Sequence, residues 1–169
     1  MINEIFTTGI KLKIVDKTDS EKIHLLRTNP SVAKFITRNL DLSVADIENL
    51  IEERLSDLEN ILFYKIETLP DLELAGTIVL KNIDQKHKCA EVGYELFPKF
   101  EGQGLMKTTL SKIIAIAFEK LELNELEAFT HYDNLKSRKL LEKLGFKSTD
   151  KVDADYPHNM IYKLKKACM

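Results

Sequence analysis

The sequence predicts an α/β (α+β) domain with a mixed, mostly antiparallel central sheet flanked by helices. Alternating apolar residues in short segments between residues 10 and 96 indicate an antiparallel meander with helical insertions. Residues 89–131 read as strand, helix and strand, which predicts one parallel pair joined by a right-handed crossover. A chain of 169 residues with 44% hydrophobic residues is long enough for one sizeable core. We therefore expect a single domain over residues 1–169.

Composition excludes several classes of protein. The formal net charge of −2 does not favour a nucleic-acid partner. The first residues, MINEIFTTG, lack the basic and apolar regions of a signal peptide, and no apolar window of eighteen residues exists, so we expect a cytoplasmic protein without a membrane partner. Cys89 and Cys168 show neither a metal-binding spacing nor a disulfide framework. Both are expected to be free thiols, and no metal is expected.

The first third of the chain predicts one strand and several capped helices. Ile10 to Ile14 alternate as a strand does. The run Thr18-Asp19-Ser20-Glu21 has the spacing of a capping box, and Asn29-Pro30 separates the helix that follows from a second short helix. Ser43 to Asp46 is another capping signature, and the helix after it should expose residues 52–54 to solvent. These helices are expected to form one wall of a substrate pocket.

The next strands lead to the centre of the domain. Residues 61–67 and 74–81 read as two strands, and Gly76 marks a site of close backbone approach. Cys89 to Leu96 alternates as the fourth strand, which Pro98 ends because proline has no amide hydrogen for a neighbouring strand. The backbone groups of residues 95–97 are therefore available to a ligand.

A glycine-containing turn follows, with the sequence GQGLM at residues 102–106, and leads into a long amphipathic helix. The first turn of a helix keeps unpaired amides and a partial positive charge, which favour a phosphate group. The turn lacks the glycine spacing of a Walker loop and of a GxGxxG motif. Taken alone, it is equally compatible with a plain connection between a strand and a helix.

A second candidate element is the helix that follows the strand over residues 126–131. Asp133 and Asn134 can cap this helix, and Ser137 lies on the same side of its first turn as Asn134. The alternative is a cap with an uninvolved serine beside it. The final strands are expected at residues 146–149 and 159–165.

Three motifs occur in an order that resembles one protein family. They are AEVGYEL at 90–96, GQGLM at 102–106, and Asn134-x-x-Ser137 followed by Glu142-Lys143-x-Gly145-Phe146. The chain thereby resembles the GCN5-related N-acetyltransferases (GNAT), in their RimJ/RimL-like branch. The resemblance implies the GNAT acyl-CoA N-acyltransferase fold, splayed at the fourth strand, where acetyl-CoA inserts as a cosubstrate. Glu101 stands where the family's turn usually carries Arg or Gln, which weakens the positive potential locally.

The resemblance also implies a role for individual residues. The backbone at the end of the fourth strand would bind the pantetheine arm, and the amides of the turn and first helical turn would bind the pyrophosphate. Asn134 would bind the pantetheine, and Ser137 would stand near the sulfur as the acid that assists its departure. The implied cofactor-binding residues are Leu96, Phe97, Gln103, Gly104, Leu105, Met106, Lys107, Asn134 and Ser137.

The expected reaction is direct acetyl transfer in a ternary complex to a primary amine of a protein N-terminus or a small molecule. For the base we choose Glu91, because Gly93 beside it leaves room for an amine. The alternatives are that Glu91 and Glu95 only mark a solvent-facing side of the strand, or that the base is Asp155, Tyr156 or His158 in the loop over residues 150–158, which is expected to line the acceptor side. Covalent catalysis by Cys89 is disfavoured because no neighbouring basic residue would lower its pKa.

Two readings from other classes stay open at this point. One is a catalytically poor acyl-CoA-binding protein with a regulatory role, and the other is a scaffold without a cofactor. The sequence names neither the acceptor nor the oligomeric state, and a homodimer is one option.

Overall fold

An eight-stranded sheet forms the centre of the computed structural model, which describes residues 2–167. Cys168 therefore lies outside the described residues. The strands are β1 (Glu4–Thr7), β2 (Ile10–Ile14), β3 (Leu62–Thr68), β4 (Glu73–Asp84), β5 (Cys89–Leu96), β6 (Glu125–His131), β7 (Lys147–Val152) and β8 (Asn159–Lys165). Their order across the sheet is β1-β2-β3-β4-β5-β6-β8-β7. β5 and β6 run parallel and the other described pairs are antiparallel, so the predicted mixed sheet is confirmed.

Four α-helices cover the two faces of this sheet. They are α1 (Ser20–Thr28), α2 (Val44–Leu55), α3 (Leu105–Ala115), which a π-helical segment extends to Lys120, and α4 (Leu135–Lys143). Apolar residues at even-numbered positions of β3 to β6 pack with α3 and α4 in the larger core. Phe63 and Val79, at odd-numbered positions, pack with α1 and α2 in a second core. Parity therefore assigns the residues of β5 and the middle of β4 to a face. The register shifts near the two ends of β4 reverse it, since Leu74 lies in the second core and Ala75 and Ile83 lie in the larger one.

The helix starts follow the predicted capping chemistry with one change. Ser43 and Asp46 form the predicted reciprocal capping box at the start of α2. Ahead of α1, the capping residue is Asp16, whose carboxylate accepts the Thr18 amide at 2.8 Å, so the box begins two residues earlier than expected. The predicted second short helix is only a 3-10 turn, Ala33–Phe35.

The sequence did not predict β1, which forms a hairpin with β2 through a turn whose Gly9 has a φ of +75°. For this reason the predicted fourth strand is β5 in the structure. Among the described residues, no helix has the length and apolar character needed to cross a membrane.

Gly76 confirms the predicted close approach of two backbones. It pairs with Leu96 across β4 and β5. A Cβ atom added at Gly76 would lie 2.1 Å from the Glu95 carbonyl oxygen and 2.9 Å from the Leu96 Cα. Since these are backbone atoms, no side-chain rotation could relieve the overlap. Gly76 thus sets the position of the last third of β5.

We expect Gly76→Ala to lower the free energy of unfolding by about 3 kcal/mol, because β4 and β5 would have to separate. The measurement is chemical denaturation of the purified variant. Gly93→Ala is the matched control, since a Cβ there meets only Val79 Cγ1 at 3.5 Å, an ordinary contact. Equal losses in the two variants would contradict the steric explanation.

Candidate active site

A gap in the sheet between β5 and β6 defines the candidate site. The two strands pair from Cys89 with Glu125 up to Val92 with Ala128. β5 then continues to Leu96 and β6 to His131 without further pairing between them. A cavity of about 440 Å³ opens at this point. Such a volume is ordinary for a small-molecule site.

The backbone of β5 turns alternate residues toward this gap. The Phe97 amide donates to the Ala75 carbonyl of β4 at 2.8 Å, and the Phe97 carbonyl accepts the Phe100 amide at 3.0 Å. Because the hydrogen-bonding groups of successive strand residues point to opposite neighbours, those of Tyr94 and Leu96 face the gap. The Phe97 amide is thus already bonded within the protein, so its expected role stays a prediction that only its carbonyl oxygen could fulfil. The role of Leu96 stays a prediction, and Tyr94 joins it.

The start of α3 offers a row of amides. Gly102 and the N-cap Gly104 have φ angles of +75° and +76°, a conformation that glycine adopts without strain. Within the part of the chain that the structure describes, the amides of residues 102–107 donate to no protein acceptor. Glu101 forms an ion pair with Lys136 in the first turn of α4, so the acid at this place is neutralised. The amides fit a phosphate-bearing group.

A pair of hydroxyl groups lies on the α3–α4 side of the gap. The Tyr94 hydroxyl is 2.8 Å from Ser137 Oγ. Burial raises the pKa of Tyr94 to about 12, so the phenol keeps its proton near neutral pH. Asn134 caps α4 by accepting the Ser137 amide through its side-chain oxygen, which leaves the side-chain NH2 group for a ligand. The sequence reasoning missed Tyr94, although its inward position in the strand alternation was visible.

On the opposite face of the gap, Glu91 and Gly93 line the cavity. The Glu91 carboxylate accepts from Lys81 Nζ at 3.0 Å and from Asn82 Nδ2 at 3.1 Å. The chosen base therefore lies beside the gap. It is three residues before Tyr94 on β5, and its side chain is on the opposite face of the sheet from the Tyr94 hydroxyl. Glu91 thus lines the cavity while its side chain stays 20% exposed, so its role as the base stays a prediction.

Glu95 is buried on the same face and holds two arginines. Its carboxylate pairs with Arg27 at the end of α1, at 3.5 Å, and with Arg38 in the loop before α2. Arg38 also donates to the Arg27 carbonyl at 3.2 Å. The expectation that Glu95 faces solvent is wrong, because α1 and the following loop cover this end of β5. No sequence signal connects residues so distant in the chain.

Arg54, in the last turn of α2, completes a cluster of three arginines. Its guanidinium lies 4.2 Å from the centre of the Phe63 ring, and the residue lines the cavity. Burial, followed by the charge of Arg27, lowers the pKa of Arg54 to about 10. The expectation that residues 52–54 all face solvent is thus wrong for Arg54, while Glu52 and Glu53 are exposed.

The loop between β7 and β8 spans residues 153–158, because β7 continues to Val152 and not only to residue 149 as predicted. Its expected place on the acceptor side stays a prediction. Asp153 and Tyr156 line the main cavity, whereas Asp155 and His158 line a smaller adjacent one of about 280 Å³. His131, at the end of β6, also lines both cavities. Its ring stacks at the rim, with centroid distances of 4.6 Å to Tyr132, 5.4 Å to Phe35 and 5.6 Å to His158.

The position of Cys89 disfavours thiol chemistry at this site. Cys89 begins β5 opposite Glu125, at the end of the strand remote from the gap. Burial and the nearby carboxylates, Asp84 foremost, raise the pKa of its thiol, which disfavours a nucleophilic thiolate. Across residues 2–167, no group of three His, Cys, Asp or Glu side chains is placed to hold a metal ion.

The sequence and the structure of this chain were compared with those of known proteins. A family model described as "Acetyltransferase (GNAT) domain" matches residues 10–147. YdaF of Bacillus subtilis (strain 168), whose name refers to a ribosomal N-acetyltransferase, is 31% identical over 163 residues, which are 92% of this chain and 87% of YdaF. The ribosomal-protein-S5-alanine acetyltransferase of Vibrio fischeri has a similar structure, with a TM-score of 0.85, 15% identity and 96% coverage of both chains. Spermidine N-acetyltransferase of Vibrio cholerae, solved with CoA and spermine, gives a TM-score of 0.80 at 19% identity, covering 93% of this chain and 94% of that one.

We expect Glu95→Gln to lower the free energy of unfolding by about 3 kcal/mol, because it leaves buried arginines without their counter-charge. Chemical denaturation at neutral pH measures the loss. Glu91→Gln is the matched control, since Glu91 pairs with a lysine that is 38% exposed and should lose less than about 1 kcal/mol. A loss for Glu95→Gln no larger than the control's would contradict the structural role of this carboxylate.

Proposed function

Because this chain belongs to the GNAT family, in its RimJ/RimL-like branch, and is an acetyl-CoA-dependent N-acetyltransferase, we propose that it acetylates a primary amine by direct transfer in a ternary complex. The acceptor is a protein N-terminal amine or a small-molecule amine. One observation carries the proposal: the gap between β5 and β6 has hydroxyl groups on one face of the sheet and a carboxylate on the other. Two substrates can thus meet from opposite faces.

The residues around the gap fit acetyl-CoA, which supplies an activated acyl group as a thioester. The gap-facing backbone groups of Tyr94 and Leu96 would hold the pantetheine as a strand would. The amides of residues 103–107 would hold the pyrophosphate, favoured by the dipole of α3. The side-chain NH2 group of Asn134 would bind the pantetheine near its sulfur end. Holding both substrates in place is worth about 7 to 11 kcal/mol in well-oriented systems.

Ser137 is the proposed acid for the leaving sulfur. A thiol of this kind has a pKa of about 8.5, so its departure needs only a modest proton donor. Tyr94 keeps its own proton, and its hydroxyl lies 2.8 Å from Ser137 Oγ, a contact in which either oxygen can be the donor. With Tyr94 as the donor, the serine proton would be free to point toward the gap. Tyr94 is therefore a positioning residue and the serine hydroxyl is the group that acts.

Glu91 is the proposed base for the amine. It lies on the α1–α2 face two residues before Gly93, whose missing side chain leaves room for an amine beside the gap. An N-terminal amine with a pKa near 8 needs little help at neutral pH, whereas a lysine near 10.4 needs more. The ion pair with Lys81 keeps the carboxylate in place beside the gap.

The function itself is tested by ligand binding and thiol release. CoA at a hundred times its dissociation constant should stabilise the protein by about 2.7 kcal/mol, seen as an upward shift in Tm. Free thiol should then appear when acetyl-CoA is mixed with amines, including peptides with free Ser or Ala termini. If CoA binds but no amine causes thiol release, the result would favour a catalytically poor acyl-CoA-binding protein with a regulatory role. If CoA does not bind, both the acetyltransferase and the regulatory hypothesis would be wrong.

We expect Ser137→Ala to reduce kcat about 100-fold, as loss of a general acid does, with little change in the KM for acetyl-CoA. Tyr94→Phe should reduce kcat less, about tenfold, because the serine hydroxyl stays but is no longer oriented. Steady-state thiol release measures both. Ser111→Ala, an exposed serine on α3, is the matched control. A kcat for Ser137→Ala equal to that of the control across pH would dismiss the acid.

The role of Glu91 as the base is tested by the pH dependence of kcat/KM. Glu91→Gln should lower kcat/KM most at a pH below the pKa of the amine, and the deficit should shrink above it, since the amine is then neutral without help. A pH profile of both proteins with one amine measures this. A constant ratio over the whole range would reassign the base.

A further inference from the structure

The α1–α2 face of the cavity carries more positive charge than its own acids neutralise. Arg27, Arg38 and Arg54 surround a single carboxylate, Glu95, so this cluster has a local charge of +2 by counting three cations and one anion. Arg54 has no acidic partner within 4 Å among the described residues. Buried Nε of Arg27 likewise finds no hydrogen-bond acceptor in residues 2–167. Glu95 Oε1 is also without a hydrogen bond in this range, although it forms the ion pair with Arg38. The cluster therefore has an unused donor on Arg27 and less negative than positive charge.

The three guanidiniums also repel one another. Burial is the first cause that lowers the pKa of both Arg27 and Arg54, and the charge of Arg38 lowers both further. Proteins keep such a group charged near neutral pH at an energetic cost. An anion among the three arginines would offset this repulsion and supply the missing acceptors. Guanidinium groups bind carboxylate and phosphate in a two-point geometry.

The location of Arg54 relates the cluster to the site of transfer. Phe63, beneath Arg54, pairs across the sheet with Val79, and Val79 pairs with Gly93 at the gap. Two strand spacings of about 4.8 Å lie between Phe63 and Gly93. Arg54 is therefore roughly 10 Å from Gly93 at the gap. That distance corresponds to about three residues of extended chain.

We propose that the acceptor is an amine that also carries an anionic group, a carboxylate or phosphate. This group binds Arg54 at roughly 10 Å from Gly93 at the gap, and Arg27 and Arg38 extend the positive charge from there to Glu95 of β5. This inference rests on the proposed function and narrows its substrate class. It also separates this chain from acceptors such as spermine, which is bound in the Vibrio cholerae neighbour. A polycation on this face would be repelled by the three arginines.

The test compares three tripeptide amides that differ in one side chain: Ser-Ala-Glu, Ser-Ala-Gln and Ser-Ala-Lys. All present the same N-terminal amine and no terminal carboxylate. Mass spectrometry of the products counts acetylation of that N-terminal amine only, because the Lys peptide has a second amine on its side chain. We expect kcat/KM for the Glu peptide to exceed that for the Gln peptide about tenfold, and the Lys peptide to be the poorest. A phosphoserine at the third position should do as well as Glu. Equal kcat/KM for the three, or preference for Lys, would overturn the inference while thiol release still upheld the acetyltransferase.

Variants assign the preference to the cluster. Arg54→Gln should remove most of the preference for Glu over Gln, and Arg54→Lys should retain part of it because the charge remains. Lys22→Gln, which removes an exposed charge from α1 outside the cavity, is the matched control and should keep the full ratio. A full ratio in Arg54→Gln would move the anion site elsewhere and overturn the assignment.

A binding measurement keeps the inference testable if none of the three peptides is a good substrate. The corresponding N-acetylated peptides are titrated into the CoA-loaded protein in a calorimeter, which needs no turnover. Tighter binding of the Glu peptide than of the Gln peptide, lost in Arg54→Gln, supports the anion site. Indistinguishable affinities for the two peptides would refute it. Failure of CoA itself to bind would instead refute the proposed function.

Discussion

The constraint on which the site depends is the end of backbone pairing between β5 and β6 after Val92 and Ala128. Both strands continue past this point, so their facing backbone groups lack partners and the sheet has an opening instead of an edge. An opening within the sheet exposes its two faces to one another. It lets a residue on either face reach the same point, which a closed sheet would forbid.

Successive residues of one strand then take separate roles because side chains alternate. Tyr94 points toward α3 and α4, where its hydroxyl meets Ser137, while Glu95 points toward α1 and α2, where it meets Arg27 and Arg38. Gly76 fixes this part of β5 by allowing the β4 backbone to approach it closely. A shift of one residue in this register would exchange the two faces and bring the carboxylate to the hydroxyl side.

Sequence patterns predicted the parts of this arrangement that are local. Alternation located β2 to β6, capping chemistry located α2 and α4, and the motif order located the gap and the start of α3. Apart from β1, which pairs locally with β2, the missed features of the site depend on contacts between distant segments. Arg54 follows two exposed glutamates and shares their helix end, so only the position of Phe63 beneath it reveals its burial. Glu95 and Tyr94 likewise acquire their partners from residues 40 to 70 positions away, and no periodicity records such pairings.

The separation of faces also divides the chain into two functional segments. Residues proposed to hold the cofactor lie between 94 and 137, whereas the arginine cluster draws on α1, the loop after it and α2, which all precede residue 56. Changes in the first helices can therefore alter the charge that an acceptor meets without moving the backbone groups of the gap. Glu95 is the exception, since it belongs to β5 and also neutralises the cluster. Its position next to Tyr94 means that recognition of the acceptor and alignment of the acid depend on the same strand segment.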